Sequence, residues 1–547
     1  MEGWIGNAED KKRFRQMGMW GDLSLYEYLA RNAQRYPGKE ALVQGERRLT
    51  YARLLQTVDR LSAALAQMGV GAGDIVAIQC SSRPEIPIAH FALNRIGALL
   101  LPLHEAWRES EVGHLLRLSK AKVFICPDEY RGFDYVDMAK AIKATAPSLK
   151  HILVIGDSAP DGSMALEPLL QASATRAIPP QAHPDADEPA LIMVSSGTTA
   201  LPKASLWSCN NLVAFLVHQY KQRIELSPDD IGVQLAPASM GSTGYVFPVL
   251  APLLVGATSV MMEKFEADEA IELIRKERAT FATAVPAQIV KMVDSPLIRK
   301  GGFGPFSRFN NAGAPLPYEA SKAIEALMNC RTQVSYGSTD GGVPSMVSIH
   351  DPQEKRLRTV GRQLPGQEMR IVDDNFDEVP QGHAGEVTWR GANMSWGYLN
   401  DAERTRETFR PAGWYLSGDL GVIDEEGYLR IVGRKKEMIL RGGHNISPRT
   451  IEEHLMKHAS VAEVAVAAIP DRVPGERACA FVVLRPGSPN LTIQEVQDFL
   501  KAQKMAVIDL PERVEIVSEI PKSAGGKVQR DVLTKMVTEK SKASERA

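Results

Sequence analysis

Met193-Val-Ser-Ser-Gly-Thr-Thr-Ala-Leu-Pro-Lys-Ala-Ser205 is the stretch of this chain that decides its fold. It begins within the apolar run Ala190–Val194, which predicts a buried strand. The nine residues Ser195–Lys203 then supply two serines, two threonines, one glycine and one lysine. Hydroxyls, backbone N–H groups and an ammonium at the end of a strand suit a polyphosphate. The alternative interpretation is a Ser/Thr-rich surface loop that binds nothing.

Short β-rich runs alternate with helical patterns on both sides of this stretch. Residues 85–96, for example, predict a helix between two strands. The alternation favours βαβ units and parallel sheets, in which ligands bind at the carboxyl ends of strands. The strands are predicted at residues 74–80, 98–102, 121–126, 151–155, 232–236, 257–262 and 280–284.

The pattern changes after about residue 360. Short runs at 369–373, 385–389 and 428–432 predict a small antiparallel barrel or sheet. A helix capped by Ser447 then opens a small α+β unit. We therefore predict an α/β protein with a large N-terminal domain, residues 1–434, made of parallel-sheet αβα subdomains and a small β-barrel. A small α+β C-terminal domain, residues 435–547, follows it.

Composition excludes several classes of protein. The 547 residues carry a net charge of −2, so no broad basic field favours nucleic acid or an anionic membrane. The five cysteines form no CxxC pair, which argues against a zinc site and against a disulfide scaffold. No signal peptide and no membrane span is predicted. We expect a cytoplasmic protein without a nucleic-acid partner.

Two familiar motifs are only mimicked. The Ser195–Lys203 loop lacks the glycines of a Walker A sequence. The segment Gly337-Ser-Thr-Asp-Gly341 resembles a nucleophile elbow but has Thr339 at its centre, and no histidine follows in a convincing role. A hydrolase triad is therefore rejected.

Seven segments in a fixed order resemble the acyl-adenylate-forming, or AMP-binding, superfamily. This superfamily includes acyl- and aryl-CoA synthetases, aryl-acid adenylating enzymes, peptide-synthetase adenylation domains and luciferases. The resemblance covers residues 23–537, and the ordered set is far more specific than any one segment. The segments are Ser195–Lys203, Asn311–Pro317, Ser335–Gly342, Trp414–Leu420, Tyr428–Arg434, Arg441–Pro448 and Pro521–Lys527.

The resemblance implies an ATP-dependent carboxylate–CoA ligase that uses ATP, Mg²⁺ and coenzyme A. A carboxylate is a poor acyl donor, and attack on the α-phosphorus of ATP converts it into a mixed anhydride with AMP. Because two anions must meet, charge neutralisation and positioning dominate this chemistry. The small domain is implied to be mobile and to rotate between adenylation and thioester formation.

The same resemblance assigns roles to residues of this sequence. Lys527, Thr339 and Lys203 are implied to be catalytic, Asp340 to hold Mg²⁺, and Lys436 to be the hinge. The implied substrate and CoA contacts are Met240, Gly241, Asn311, Gly341, Gly342 and Gly443. The implied ATP-binding residues are Ser195, Ser196, Gly197, Thr198, Thr199, Gly313, Ala314, Pro315, Tyr336, Gly337, Asp419 and Arg434.

The chain departs from the family pattern at three of these sites. Ala200 and Ala204 stand where glycine is usual, and each adds a Cβ to the loop. Asp340 stands where glutamate is usual, so the carboxylate is one methylene shorter. None of the three changes removes a required functional group.

The residues predicted to line the acyl pocket bear on the identity of the acid. Aryl-acid enzymes for siderophores typically have a His-Asn pair where this chain has Met240-Gly241. The apolar, adaptable methionine favours an aromatic, alicyclic or medium-chain apolar acid.

Two other functions stay open. One is a stand-alone enzyme that loads the phosphopantetheine of a carrier protein, although only about 20 residues follow Lys527 and we expect no carrier domain there. The other is a non-catalytic nucleotide-binding scaffold, which the retained lysines argue against. The oligomeric state is open, with a homodimer among the options.

Overall fold

The computed structural model describes residues 8–171, 184–195, 201–235, 243–441, 444–471, 475–522 and 528–546. The chain forms two compact units. The first contains residues 1–369 and 389–415, and the second contains residues 370–388 and 416–547. Across the part of the chain that is described, no helix has the length and apolar character needed to cross a membrane.

A seven-stranded sheet in the first unit carries the decisive stretch. All its neighbouring pairs are parallel except the first, in which Pro189–Ser195 and Lys203–Ser208 form an antiparallel hairpin. The predicted parallel arrangement is confirmed here. In spatial order the strands are Lys203–Ser208, Pro189–Ser195, Leu99–Leu103, Ile75–Gln79, Val123–Pro127, His151–Ile155 and Met164–Ala165.

A nine-stranded sheet in the same unit is parallel through its centre and antiparallel at both edges. In spatial order its strands are Arg362–Gln363, Gly342–Met346, Arg331–Ser338, Arg308–Ala312, Phe281–Ala284, Ile231–Gln234, Thr258–Met261, Glu40–Gln44 and Arg47–Thr50.

One hydrophobic cluster joins the facing sides of the two sheets. Val76 and Ile78 of the first sheet and Val343 of the second belong to it, together with Leu54 and Phe91 from intervening helices. Alternate strand residues point to the opposite faces, as the two-residue period of a strand requires. This shared core is what brings strand ends from both sheets to one place.

Helices cover the sheets of the first unit. The longer ones are Leu25–Arg35, Tyr51–Gln67, Glu85–Arg95, Glu109–Ser119, Tyr135–Thr145, Ala267–Lys276, Pro286–Asp294 and Tyr318–Met328. The shorter ones are Ala8–Gln16, Glu167–Gln171, Cys209–Val213, Lys221–Ile224, Thr243–Tyr245, Ala251–Val255, Gln353–Arg358 and Ala402–Thr408, with π-helical segments at Ala214–Tyr220 and Val246–Leu250.

The second unit is built mainly from a small sheet and three helices. Its sheet contains Ile439–Arg441, His444–Ile446, Val461–Asp471, Gly475–Leu484 and Arg513–Ile516. Helix Pro448–Leu455 begins after Ser447, whose side chain accepts from the Thr450 N–H, as predicted. The other helices are Ile493–Ala502 and Arg530–Arg546. The last helix continues through the charged segment after Thr538 to Arg546, because the residues of this segment are mostly good helix formers.

A buried ion pair fixes strand Arg331–Ser338, which runs into the candidate site. Glu325 accepts from the backbone N–H of Thr332 at 2.7 Å and forms an ion pair with Arg356. The two side chains are 7% and 5% exposed. Burial acts to raise the pKa of Glu325, but the Arg356 and Thr332 hydrogen bonds outweigh it and hold that pKa below its usual value.

Glu325→Gln should lower the free energy of unfolding by about 3–5 kcal/mol, because it leaves the Arg356 charge buried and unpaired. Urea unfolding measures this loss. Since the folded-state pKa is depressed, the contribution is present above the ordinary value of 4.5 and disappears as the pH falls through the lowered pKa. The matched control is Glu354→Gln, which breaks an exposed pair with Arg358 and should lower the free energy of unfolding far less, because solvent screens this pair. Equal losses in the two variants would contradict the anchoring role.

Candidate active site

The first part of the site is the hairpin of the seven-stranded sheet. Ser195 ends one strand, and Lys203 begins the next directly opposite it. The predicted phosphate-loop residues between them, Ser196 to Ala200, lie outside the described residues. Both described ends of the loop are partly exposed. The strand that precedes the loop is therefore placed as predicted.

The second part is Asp340, which follows strand Arg331–Ser338 of the nine-stranded sheet. The Ser195 hydroxyl lies 2.9 Å and 3.2 Å from its two carboxylate oxygens. Tyr398 donates its hydroxyl to the same carboxylate at 2.8 Å. Asp340 is 8% exposed. The structure thus brings the phosphate hairpin and the predicted metal ligand into direct contact.

Tyr398 keeps its proton in this position. Burial first, and then the charge of Asp340, raises the pKa of its phenol well above the ordinary value. The hydroxyl is therefore a donor to the carboxylate. The Lys203 ammonium lies 5.2 Å from the centre of the same ring.

Backbone contacts hold the Thr339–Asp340 turn. The Ser395 hydroxyl donates to the carbonyl oxygen of Asp340. The Ser205 hydroxyl lies 3.4 Å from the carbonyl oxygen of Thr339 and 3.0 Å from that of Met193. Ser205 belongs to the hairpin, so the turn and the hairpin are fastened at two points.

The predicted adenine-binding segments leave adjacent strands. Strand Arg308–Ala312 pairs in parallel with Arg331–Ser338, so Gly313–Pro315 and Tyr336–Gly337 emerge at the same edge. Tyr336 is partly exposed and stands edge-on to Trp389, with ring centres 5.8 Å apart. Gly313 has a φ of +90°, and no described atom beyond its two chain neighbours lies within 4 Å of the position that a Cβ would take there.

Two glycines are required by close packing. A Cβ on Gly341 would lie 2.5 Å from the Tyr415 ring, and one on Gly342 would lie 2.1 Å from the carbonyl oxygen of Asn393. Gly342 also has a φ of +78°, which side chains rarely adopt. The Trp389 indole donates to the Gly341 carbonyl at 2.6 Å. Only glycine at positions 341 and 342 allows the backbone after Asp340 to pack this closely against Tyr415 and Asn393.

An apolar cavity lies next to these glycines, inside the shared core. Its two aromatic residues from the π-helical segments, Phe215 and Phe247, meet edge to face with ring centres 4.9 Å apart. Sequence reasoning missed most of its lining, because π-helical segments have no distinctive sequence pattern. The lining residues are Met193, Trp207, Leu212, Phe215, Leu216, Val246, Phe247, Ser338, Gly342, Val343 and Asn393.

The remaining predicted substrate contacts fall into two groups. Asn311 is fully buried and donates to the Gln333 carbonyl at 3.3 Å. It is not part of the cavity lining. Met240 and Gly241, together with Gly443 and the predicted catalytic Lys527, lie outside the described residues.

The predicted ribose-binding pair lies in the second unit. Asp419 and Arg434 face each other across an antiparallel strand pair, and the Arg434 Nε donates to the Asp419 carboxylate at 2.7 Å. Gly418, with a φ of +70°, precedes Asp419. Lys436, the predicted hinge, is exposed in the short turn Lys435–Glu437.

The donor set around Asp340 fits Mg²⁺. This ion is usually held by one or two carboxylates together with substrate phosphates and water. A single buried carboxylate beside a predicted phosphate loop is therefore sufficient. The described residues contain no cluster of three or more His, Cys, Asp or Glu side chains that could hold a metal without such a substrate.

Comparison with known proteins identifies the family. The AMP-binding enzyme family matches residues 29–399, and the AMP-binding enzyme C-terminal domain matches residues 450–527. The chain is 31% identical over 532 residues to the medium-chain fatty-acid–CoA ligase of Escherichia coli strain K12, covering 97% of this chain and 93% of the relative. It is 29% identical over 537 residues to the 2,3-dihydroxybenzoate-AMP ligase of Bacillus subtilis strain 168, covering 96% of each.

Solved structures agree with the fold. ATP-bound MatB from Rhodopseudomonas palustris superposes with a TM-score of 0.83 at 27% identity, over 94% of this chain and 99% of that one. The anthranilate CoA ligase AuaEII in complex with anthranoyl-AMP gives 0.87 at 24% identity, over 95% and 98%, which bears on the fold alone. The predicted fold class is confirmed, as is the predicted membership of the AMP-binding superfamily. The chain belongs to the AMP-binding enzyme family.

Proposed function

We propose that this protein is an ATP-dependent carboxylate–CoA ligase that forms an acyl-adenylate and then an acyl-CoA thioester. The observation that carries the proposal is the contact of the Ser195–Lys203 hairpin with Asp340. It sets hydroxyl, ammonium and carboxylate groups at one strand edge, which is the set that a nucleoside triphosphate and its metal require. The full-length likeness to acid–CoA and acid–AMP ligases supports the same reaction.

In the first step, a carboxylate oxygen of the acid attacks the α-phosphorus of ATP. A bond forms between that oxygen and phosphorus, the bond to the bridging oxygen breaks, and pyrophosphate leaves. Ser195 and Lys203 bind the departing β- and γ-phosphates, and Thr339 orients the α-phosphate. Asp340 would hold Mg²⁺, which when bound would neutralise part of the charge on the phosphates.

The base and sugar of the nucleotide determine where the α-phosphorus lies. The Tyr336 ring and the Gly313–Pro315 loop hold the adenine, and Asp419 accepts from the ribose hydroxyls. Arg434 already contacts this carboxylate, which orients Asp419.

In the second step, the thiolate of CoA attacks the adenylate carbonyl, and AMP leaves with the former carboxylate oxygen. Lys527 serves the first step, and Gly443 gives the pantetheine a path that a side chain would block. Movement of the small domain about Lys436 would bring Gly443 to the reacting groups in place of Lys527.

The acid bound is compact and apolar. The cavity between the sheets is lined by aliphatic and aromatic side chains, with Ser338 and Asn393 as its polar groups. Phe215, Phe247 and Tyr220 pack against one another, with ring centres 4.9–5.7 Å apart. This aromatic wall favours an aromatic, alicyclic or medium-chain acid over a polar one.

A carrier-protein phosphopantetheine is the second candidate acceptor. Relatives named 2,3-dihydroxybenzoate-AMP ligase and Pyochelin synthase PchD favour it. The deciding assay measures AMP release and loss of free thiol with a panel of acids, offering CoA and a phosphopantetheinylated carrier protein in competition. Consumption of CoA thiol in step with AMP supports the CoA ligase. Adenylate formation with transfer only to the carrier would replace it.

We also propose a cytoplasmic location. All five cysteines are buried, and the sequence has no CxxC pair, which suits a reducing compartment.

Lys527→Ala should slow adenylation by at least about a hundredfold, because it removes one key electrostatic contact with the transition state. Thioester formation from preformed acyl-adenylate should change far less. Rapid-quench assays of the two half-reactions measure both. Lys522→Ala is the control. Lys522 lies in the same segment as Lys527, but it pairs with Glu463 and has no proposed catalytic role. Normal adenylation in Lys527→Ala would refute the assignment.

Phe247→Leu should raise the kcat/KM of a bulkier acid relative to a smaller one by about tenfold, the effect of one or two methylenes in an apolar pocket. Competition between acids of graded size measures the ratio. Phe309→Leu provides the control, because Phe309 is equally buried but packs on the other face of its sheet. It should lose stability without changing the preference. An unchanged ratio in Phe247→Leu would place the acid elsewhere.

A further inference from the structure

Tyr398 contacts both halves of the phosphate site, although nothing in the sequence motifs marks it. Its hydroxyl lies 2.8 Å from the Asp340 carboxylate, and the Lys203 ammonium lies 5.2 Å from the centre of its ring. The side chain is 7% exposed. One residue therefore touches the predicted metal ligand with one end and a phosphate-binding lysine with its face.

The backbone of Tyr398 is fixed against the phosphate hairpin. Residues 396–399 run beside strand Lys203–Ser208, with the Leu399 N–H donating to the Ala204 carbonyl at 2.8 Å. The Leu206 N–H donates to the Gly397 carbonyl at 3.0 Å, and Tyr398 forms a bridge with Ser205. A buried ring on such a rigid segment has little freedom to turn away from Asp340.

The shorter acid at position 340 makes this support important. An aspartate reaches less far than a glutamate, so its carboxylate must be aimed accurately to meet a metal that demands near-ideal geometry. Ser195, at the end of a strand, and Tyr398, on the segment beside strand Lys203–Ser208, both contact the carboxylate and restrict its rotation. Hydrogen-bond partners that orient a ligating carboxylate typically contribute a factor of about 10–100 in metal affinity.

The ring of Tyr398 has a separate role toward Lys203. A lysine ammonium near an aromatic face gains about 0.5–1 kcal/mol at partly exposed sites. Because Lys203 is already held beside this ring, it loses less rotamer freedom when phosphate binds.

We propose that Tyr398 is a positioning residue for magnesium-bound ATP: its hydroxyl orients Asp340, and its ring seats Lys203. The inference rests on the proposed function, since it assumes that this edge binds ATP with its metal. The hydroxyl and the ring of Tyr398 thus make separate contributions, which the substitutions Tyr398→Phe and Tyr398→Leu can distinguish.

Calorimetric titration with ATP, with Mg²⁺ and then with EDTA, tests both contributions without any acid or turnover. Tyr398→Phe keeps the ring and removes the hydroxyl. It should reduce the enhancement of ATP affinity by Mg²⁺ about tenfold and leave the affinity in EDTA unchanged. Tyr398→Leu removes the ring as well and should weaken binding in EDTA by a further factor of about two to five.

Tyr51→Phe is the matched control, because it deletes a buried phenol that donates to the Ala257 carbonyl far along the chain. It should lower the melting temperature without altering ATP binding. If Tyr398→Phe behaves like Tyr51→Phe, with lower stability and an intact Mg²⁺ enhancement, Tyr398 is merely structural and the inference is wrong.

The wild-type protein supplies a further check. If it binds ATP equally well with Mg²⁺ and with EDTA, this inference fails. Acid-dependent release of pyrophosphate from ATP would then still leave the proposed ligase reaction standing.

Discussion

The hydrogen bond between Ser195 and Asp340 is the contact on which the rest of the site depends. Ser195 ends a strand of the seven-stranded sheet, and Asp340 follows a strand of the nine-stranded sheet. The two ends can meet only because one hydrophobic cluster packs the sheets against a common set of helices. A polar contact of modest strength is thus positioned by a large apolar core.

Several features follow from bringing two strand ends so close together. The turn after strand Arg331–Ser338 must pass beside Tyr415 and Asn393, where only glycine fits at positions 341 and 342. The hydroxyls of Ser195 and Tyr398 both contact the Asp340 carboxylate and restrict its orientation. A carboxylate held in this way beside the hairpin suits a polyphosphate that arrives with a divalent cation.

Sequence analysis predicted the strands of the parallel sheets well, but not the antiparallel hairpin that Lys203–Ser208 forms with Pro189–Ser195. Buried strands of a parallel sheet are continuous apolar runs, so 151–155 was predicted with the bounds that the structure has. Asp340 and Tyr336 could be chosen because they sit in a segment, Ser335–Gly342, that resembles a family motif. Tyr398 could not, since its importance comes from two residues that are 58 and 195 positions away in the chain. Phe215 and Phe247 were also missed, because an aromatic residue of the core and one that lines a pocket have the same appearance in sequence.

The central claim is that the carboxylate of an acid attacks the α-phosphorus of ATP at this strand edge. An acid labelled with ¹⁸O in its carboxylate tests it directly, with mass spectrometry of the products after turnover with CoA. One labelled oxygen should appear in AMP, because the oxygen that attacks phosphorus leaves with it when the thiol attacks the carbonyl. Label found in inorganic phosphate, or unlabelled AMP formed together with the thioester, would contradict the claim.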